Sequence, residues 1–120
     1  MKYLIALLIS TNTLFAASIS GVVDIKGDIP KGVLYVFAKK FSGMPMPLAV
    51  KRIENPKFPL KFTLNDSDKM MKNMPFVGPF KVVARISPSG SATDKSGIEV
   101  STTAPVEDGE KELKLVLKKD

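Results

Sequence analysis

The sequence predicts an all-β fold, a seven-stranded antiparallel sandwich, and three observations predict it. Short runs of alternating apolar and polar residues recur along the chain, most clearly over 58–64 and 80–87. Period-two alternation marks a strand with one buried face. Turn residues stand between the runs: Gly27-Asp28-Ile29-Pro30-Lys31-Gly32, Glu54-Asn55-Pro56-Lys57, Gly78-Pro79 and Pro88-Ser89-Gly90-Ser91. Helix signal within the domain is confined to one short turn near 66–72, which Asn65 or Asp66 can cap. That turn is too short to stand on propensity alone.

With 120 residues there is room for one domain. Residues 1–17 read as an export signal. Lys2 gives the positive start, residues 3–9 the apolar stretch, and Ala16-Ala17-Ser18 the small residues for cleavage near Ala17. Ser10-Thr11-Asn12-Thr13 interrupts the apolar run well short of the ~20 residues that a spanning helix needs. The expectation is a periplasmic domain over 18–120 with no transmembrane helix in the mature chain. The absence of cysteine means that no disulfide supports it.

Taken in order, residues 18–26 form a first strand with Ile19, Val23 and Ile25 inward. Residues 33–38 are continuously apolar, rich in β-branched and aromatic residues, and too short for a globular helix. They read as a central strand buried on both faces, emerging at Lys39-Lys40. The loop Phe41-Ser42-Gly43-Met44-Pro45-Met46-Pro47 is stiffened by its two prolines. A third strand covers 48–53. The fourth, over 58–64, turns Phe58, Leu60, Phe62 and Leu64 to one face, and Pro59 places it at a sheet edge. The helical turn follows, with Met70 and Met71 at its far end. The fifth strand over 80–87 points Phe80, Val82, Ala84 and Ile86 inward, a weaker sixth covers 97–103, and Leu113, Leu115 and Leu117 line one side of the last. Seven short strands at this spacing suit a sandwich of the immunoglobulin type.

The chemical inventory argues against catalysis. There is no His, no Cys and no Trp, which removes the commonest general base, the commonest transition-metal ligands and every thiol nucleophile. Asp66 and Asp68 lie beside a helical cap, and Ser67 and Ser89 lack an imidazole partner. The formal charge of +6 is spread over strand faces without the aromatic interleaving that stacks bases, so nucleic acid is not expected as a partner. Anionic lipid headgroups or an acidic partner remain open.

Methionine is the exception. Met44 and Met46 form an M-x-M pair, and Met70, Met71 and Met74 form M-M-x-x-M. Thioethers fill irregular gaps or make an adaptable apolar surface for a partner. They also suit Cu(I), so Met44, Met46, Met70, Met71 and Met74 are the copper candidates if the chain binds metal.

Several ordered phrases carry a family resemblance. They are Val36-Phe37-Ala38-Lys39, Met46-Pro47-Leu48-Ala49-Val50-Lys51-Arg52, Phe58-Pro59-Leu60, Leu64-Asn65-Asp66-Ser67, Met70-Met71, Val82-Val83-Ala84-Arg85-Ile86-Ser87 and Ser89-Gly90. Together they resemble the C-terminal immunoglobulin-like domain of the bacterial cytochrome c-type biogenesis H protein, an accessory factor of the haem lyase complex. The resemblance covers roughly residues 19–99. Where the family pattern has an arginine after Phe-Ala this chain has Lys39, which keeps the charge but loses the planar fork.

The resemblance implies a stand-alone exported sandwich, non-enzymatic and without a cofactor. It would assist cytochrome c maturation by contact with a haem lyase component or apocytochrome c. The expected contact surface joins Met44, Met46 and Pro47 to Asp66, Met70, Met71 and Met74, with Arg85 as a charged anchor. The alternatives are a copper- or haem-binding module built on the same methionines, and a purely structural sandwich.

Overall fold

The computed structural model describes residues 18–29, 31–43 and 46–118. The expected export signal, its cleavage position at Ala17, and Met44 lie outside these residues. Among the described residues there are seven strands: β1 (Ser18–Lys26), β2 (Val33–Lys40), β3 (Pro47–Ile53), β4 (Leu60–Asn65), β5 (Phe80–Ser87), β6 (Glu99–Ser101) and β7 (Leu113–Lys118). They make two sheets, a three-stranded one in the order β4-β1-β7 and a four-stranded one in the order β3-β2-β5-β6.

The alternation in the sequence sets which side chains meet between the sheets. Ile19 and Val23 of β1, Phe62 and Leu64 of β4, and Leu115 and Leu117 of β7 face Leu34, Val36 and Ala38 of β2 and Phe80, Val82, Ala84 and Ile86 of β5. All of them are buried. Phe76 packs its ring against Phe80 with centroids 4.6 Å apart, which extends the core toward the loop before β5. Burying a large apolar side chain such as Phe80 stabilises by about 1.5–3 kcal/mol, so this layer of aliphatic and aromatic residues holds the fold with no disulfide.

Two features differ from expectation. The strand pairs are antiparallel except one: β1 runs parallel to β7, from Gly21 opposite Leu113 to Lys26 opposite Lys118. A tight turn cannot make a parallel pair. Here residues 102–112 carry the chain from one sheet to the other, so β7 arrives beside β1 running the same way. Gly21 permits that approach, since a Cβ there would lie 2.2 Å from the Leu113 carbonyl oxygen.

The helical turn is also shorter than expected, a single 3-10 turn at Asp66–Asp68. Asn65 caps it. Its Oδ1 accepts from the Ser67 N–H at 2.9 Å while its own N–H donates to Asp68 Oδ2 at 3.0 Å. Asp68, and not Asp66, completes this reciprocal box. The turn stops there because, once the Lys69 N–H has closed it on the Asp66 carbonyl at 3.2 Å, the next donor is used elsewhere. Lys69 forms a bridge with Ala49 of β3, and the Met70 N–H donates to the Leu48 carbonyl at 2.9 Å. The segment after the turn therefore covers part of an open sheet edge instead of continuing as helix.

Candidate functional site

Two apolar regions lie outside the core, and the chain builds them differently. The first gathers where β2 ends and where β3 and β5 begin. Pro47 opens β3 opposite Lys39 of β2, with a register shift between Ala38 and Lys39. One step beyond, the Phe41 N–H donates to the Pro79 carbonyl at 3.1 Å, and the Lys40 ammonium donates to the Val77 carbonyl at 3.0 Å. These ties bring Phe41 and Ser42, at the end of β2, beside the loop over 69–79. Between them is a groove of about 380 Å³ lined by Lys40, Phe41, Met46, Leu48, Met74 and Pro79.

Four large apolar side chains stand out among the described residues for their exposure: Met46 at 41%, Met70 at 57%, Met71 at 42% and Val77 at 47%. Each belongs to the same end of the sandwich. Met46 precedes Pro47, Met70 is pinned to Leu48, the Met74 N–H donates to the Met71 carbonyl at 3.2 Å, and Val77 is held by Lys40. Met74 turns partly inward and packs on the core. The groove receives the side chains of Met46 and Met74, while Met70 and Met71 stand outside its lining. Among the described residues, no group of three or more His, Cys, Asp or Glu side chains is placed to hold a metal ion.

Charge around this end is sorted. Asp66 is exposed and pairs with Lys69 at 3.4 Å, and Asp68 pairs with Lys51 at 3.4 Å. Lys69 also donates to the Lys72 carbonyl at 3.1 Å, which holds the methionine-bearing segment against the 3-10 turn. Asp66 thus steadies the segment from beside it.

The second region is the outer face of the four-stranded sheet. Tyr35, Phe37 and Val83 project there and are nonetheless buried, flanked by Val33 and Val50. Arginines and one loop cover them. The Arg85 guanidinium lies 5.3 Å from the Phe37 ring centroid, within cation–π range. It is fixed by Glu99 at 2.7 Å and by the Ala92 carbonyl at 3.2 Å, leaving its side chain 13% exposed. Arg52 lies 6.0 Å from the Tyr35 ring, donates to the Tyr35 hydroxyl at 3.1 Å and pairs with Glu54. The Tyr35 hydroxyl in turn donates to the Gly90 carbonyl at 2.6 Å.

The covering loop is closed by Asp94, whose carboxylate accepts from the backbone N–H groups of Ser89 at 3.1 Å and Ser96 at 2.9 Å. Hydrogen bonds from Ser89 first, then Ser96, hold its carboxyl well below the usual carboxylate range. Gly97 lets the loop seat closely, since a Cβ there would lie 1.9 Å from the Ile86 carbonyl oxygen.

Of the residues expected to form one contact surface, Met46, Pro47, Asp66, Met70, Met71 and Met74 therefore belong to one end of the molecule. Arg85 does not. It pairs with Tyr35 on β2, four residues from the Lys81 position, roughly 13 Å along the strand. Its donors are already engaged, so it cements the outer face. Sequence reasoning missed Val77, Phe41 and Lys40. The signal available for Val77 was its position between Phe76 and Gly78-Pro79 in an irregular loop, where no periodicity reports which way a side chain points.

Two further depressions are less selective. One of about 670 Å³ spreads over the outer face of the three-stranded sheet, but Ser20, Asp24, Lys61, Thr63, Glu112 and Lys114 give it a mixed polar wall. One of about 360 Å³ opens at the opposite end of the sandwich beside Ile25, Ile29, Phe58 and Ile86, with Lys31 and Lys57 among its walls.

Known proteins bear on this geometry. The family model of the cytochrome c-type biogenesis protein H Ig-like domain matches residues 20–118. The cytochrome c-type biogenesis protein CycH of Pseudomonas aeruginosa is 41% identical over 61 residues, which is 49% of this chain and 15% of CycH. The chain thus spans a small part of that relative. An uncharacterized protein of Aquifex aeolicus is 31% identical over 104 residues, 82% of this chain and 69% of that protein. The solved structure of an alternative pilotin from the type II secretion system of Vibrio cholerae superposes with a TM-score of 0.53 at 20% identity, over 87% of this chain and 96% of the pilotin. That likeness concerns the fold alone. The match to the family model runs from within β1 to the end of β7, and on that ground the chain belongs to the family of the cytochrome c-type biogenesis protein H Ig-like domain.

Proposed function

We propose that this chain is a non-enzymatic periplasmic docking module that assists cytochrome c maturation by contact with a haem lyase component or apocytochrome c. Membership of the family supports the process, and the one-sided placement of Met46, Met70, Met71 and Val77 supports the mode of action. Soluble domains rarely leave large apolar side chains gathered on one surface unless a partner covers them. Thioethers suit such a surface because their flexible, polarisable side chains adapt to differently shaped apolar residues. The groove between Met46 and Met74 receives one such residue, and Met70, Met71 and Val77 add exposed apolar surface at the same end, outside its lining. The export signal over 1–17, cleaved near Ala17, delivers the domain to the compartment where this contact takes place.

The test is affinity capture from a periplasmic extract with the wild-type protein and with Met46→Ser combined with Met70→Ser. The wild type enriches a haem lyase component or a c-type cytochrome several-fold over a bare resin, and the double variant loses that enrichment. If the wild type enriches neither, the docking role in this process fails.

A further inference from the structure

The docking surface carries a second, electrostatic half. Lys39 and Lys81 are directly opposite each other on adjacent strands β2 and β5. Both project from the outer face, because the alternation that buries Phe37 and Val83 there places Lys39 and Lys81 on the same side. Two like charges directly opposite in a sheet destabilise it. Among the described residues neither ammonium has a carboxylate within ion-pair distance. The four ion pairs found there are Lys51–Asp68, Arg52–Glu54, Lys69–Asp66 and Arg85–Glu99.

This uncompensated pair sits beside the groove. Lys39 is also the register partner of Pro47, so Pro47, Lys39 and Lys81 form one row across β3, β2 and β5. The Phe41–Pro79 backbone hydrogen bond, at the groove wall, is two residues further along both strands, roughly 7 Å away. Nearby carboxylates are occupied: Asp66 by Lys69, Asp68 by Lys51, and Asp108 by the Gly78 N–H at 2.9 Å. An apolar groove therefore adjoins two ammonium groups with no counter-charge among the described residues.

We infer that the partner is an acidic amphipathic protein segment, which places an apolar side chain between Met46 and Met74 and carboxylates over Lys39 and Lys81. This rests on the docking role proposed above and names its chemistry. A concave groove favours a protruding side chain over a flat bilayer, since a membrane surface cannot fill a recess between two loops. An amphipathic helix laid in a groove anchors through residues spaced i, i+3 or i+4, and i+7, with its charged flank along one wall. The lysine pair then governs selectivity and association rate more than bulk affinity.

Two synthetic amphipathic peptides of about 18 residues test this, with identical leucines at the anchor spacing and either glutamates or lysines on the flank. Binding is read by calorimetry and by amide shift changes in the 15N-labelled protein. The acidic peptide binds at least tenfold more tightly than the basic one, and the shifts fall on the groove and on Lys39 and Lys81. In Lys39→Gln combined with Lys81→Gln the preference drops to within about threefold, while the melting temperature holds or rises because the like-charge pair is gone. Equal binding of the two peptides overturns the inference. So does binding to phosphatidylglycerol vesicles that depends on the lysines while neither peptide binds. Repeating the affinity capture with the lysine double variant separates the two proposals. Capture that survives loss of the lysines but not of Met46 and Met70 keeps the docking role and removes the acidic partner.

Discussion

The two apolar regions outside the core carry different side chains, aromatic in one and mainly thioether in the other, and meet different fates. On the outer face of the four-stranded sheet, Tyr35 and Phe37 are covered by Arg52, Arg85 and the loop over 88–97. At the methionine-bearing end, Met46, Met70, Met71 and Val77 are left open. Among the described residues, the chain thus covers apolar surface with its own side chains on the outer face and leaves it open at the methionine-bearing end. An aromatic ring buried by a paired arginine is finished within the molecule. A thioether surface beside lysines that have no ion pair among the described residues is, on the function proposed above, finished by a partner.

The sharpest way to break this contrast is to remove one side chain from each region and measure stability. Phe37→Ala takes away a buried ring and the platform under Arg85, and is expected to cost about 3 kcal/mol in urea unfolding, at the lower end for buried Phe→Ala changes. Met70→Ser with Met71→Ser removes two exposed side chains and is expected to change stability by less than about 0.5 kcal/mol, because Met70 is held through its backbone N–H. Comparable losses in the two variants would mean that the methionines are structural, and the docking surface would lose its main support.

Arg85 gives a finer test, because its covering role depends on shape as well as charge. Its guanidinium lies over Phe37 while its N–H groups reach Glu99 and the Ala92 carbonyl. Arg85→Ala is expected to cost about 1.5 kcal/mol, the scale of a hydrogen bond to a charged group that is partly exposed. Arg85→Lys keeps the charge and loses the fork, so it is expected to recover less than half of that. Partner capture stays unchanged in both variants. Loss of capture with unchanged stability would move Arg85 back into the contact surface.

The sequence displays the core far better than it displays these surfaces, and the reason is periodicity. Phe80, Val82, Ala84 and Ile86 repeat every second residue, and that repeat alone predicts the face they bury. The unbroken apolar run of β2 predicts burial on both faces, and Leu34 to Ala38 are all buried. Strand direction has no such signature, so the parallel partner of β1 stays hidden until the sheets assemble. The length of the turn after Asn65 is hidden too, since it is set by the Leu48 carbonyl that captures the Met70 N–H from another strand. Arg85 reads as a charged surface residue because its partners, Glu99 and Ala92, lie beyond a turn. The methionine pairs are visible as spacing. The gathering of Met46, Met70, Met71 and Met74 at one end depends on where β2 stops, which the emergence at Lys39-Lys40 marks only locally.

The smallest expected effect concerns the loop that completes the covered face, and it turns on acid. Side-chain hydrogen bonds from Ser89 and then Ser96, joined by the N–H groups of both residues, favour the charged form of Asp94. Its folded-state value lies below that of the unfolded chain, so its contribution is fully present above the unfolded value of about 3.9. It is lost only as pH falls through the lower, folded one. Between neutral pH and about pH 5, well above that unfolded value, the clasp therefore stays closed. Amide-exchange protection of Ser89 and Ser96, corrected for intrinsic exchange, is expected to stay constant over that range. Asp94→Asn removes the carboxylate and lowers protection at both amides at every pH, while leaving the amides of Met46 and Met70 unaffected. Protection at Ser89 that already declines at pH 6 would show that the loop is held by something other than Asp94. The outer face would then be less fully closed than the geometry of Tyr35 and Phe37 requires.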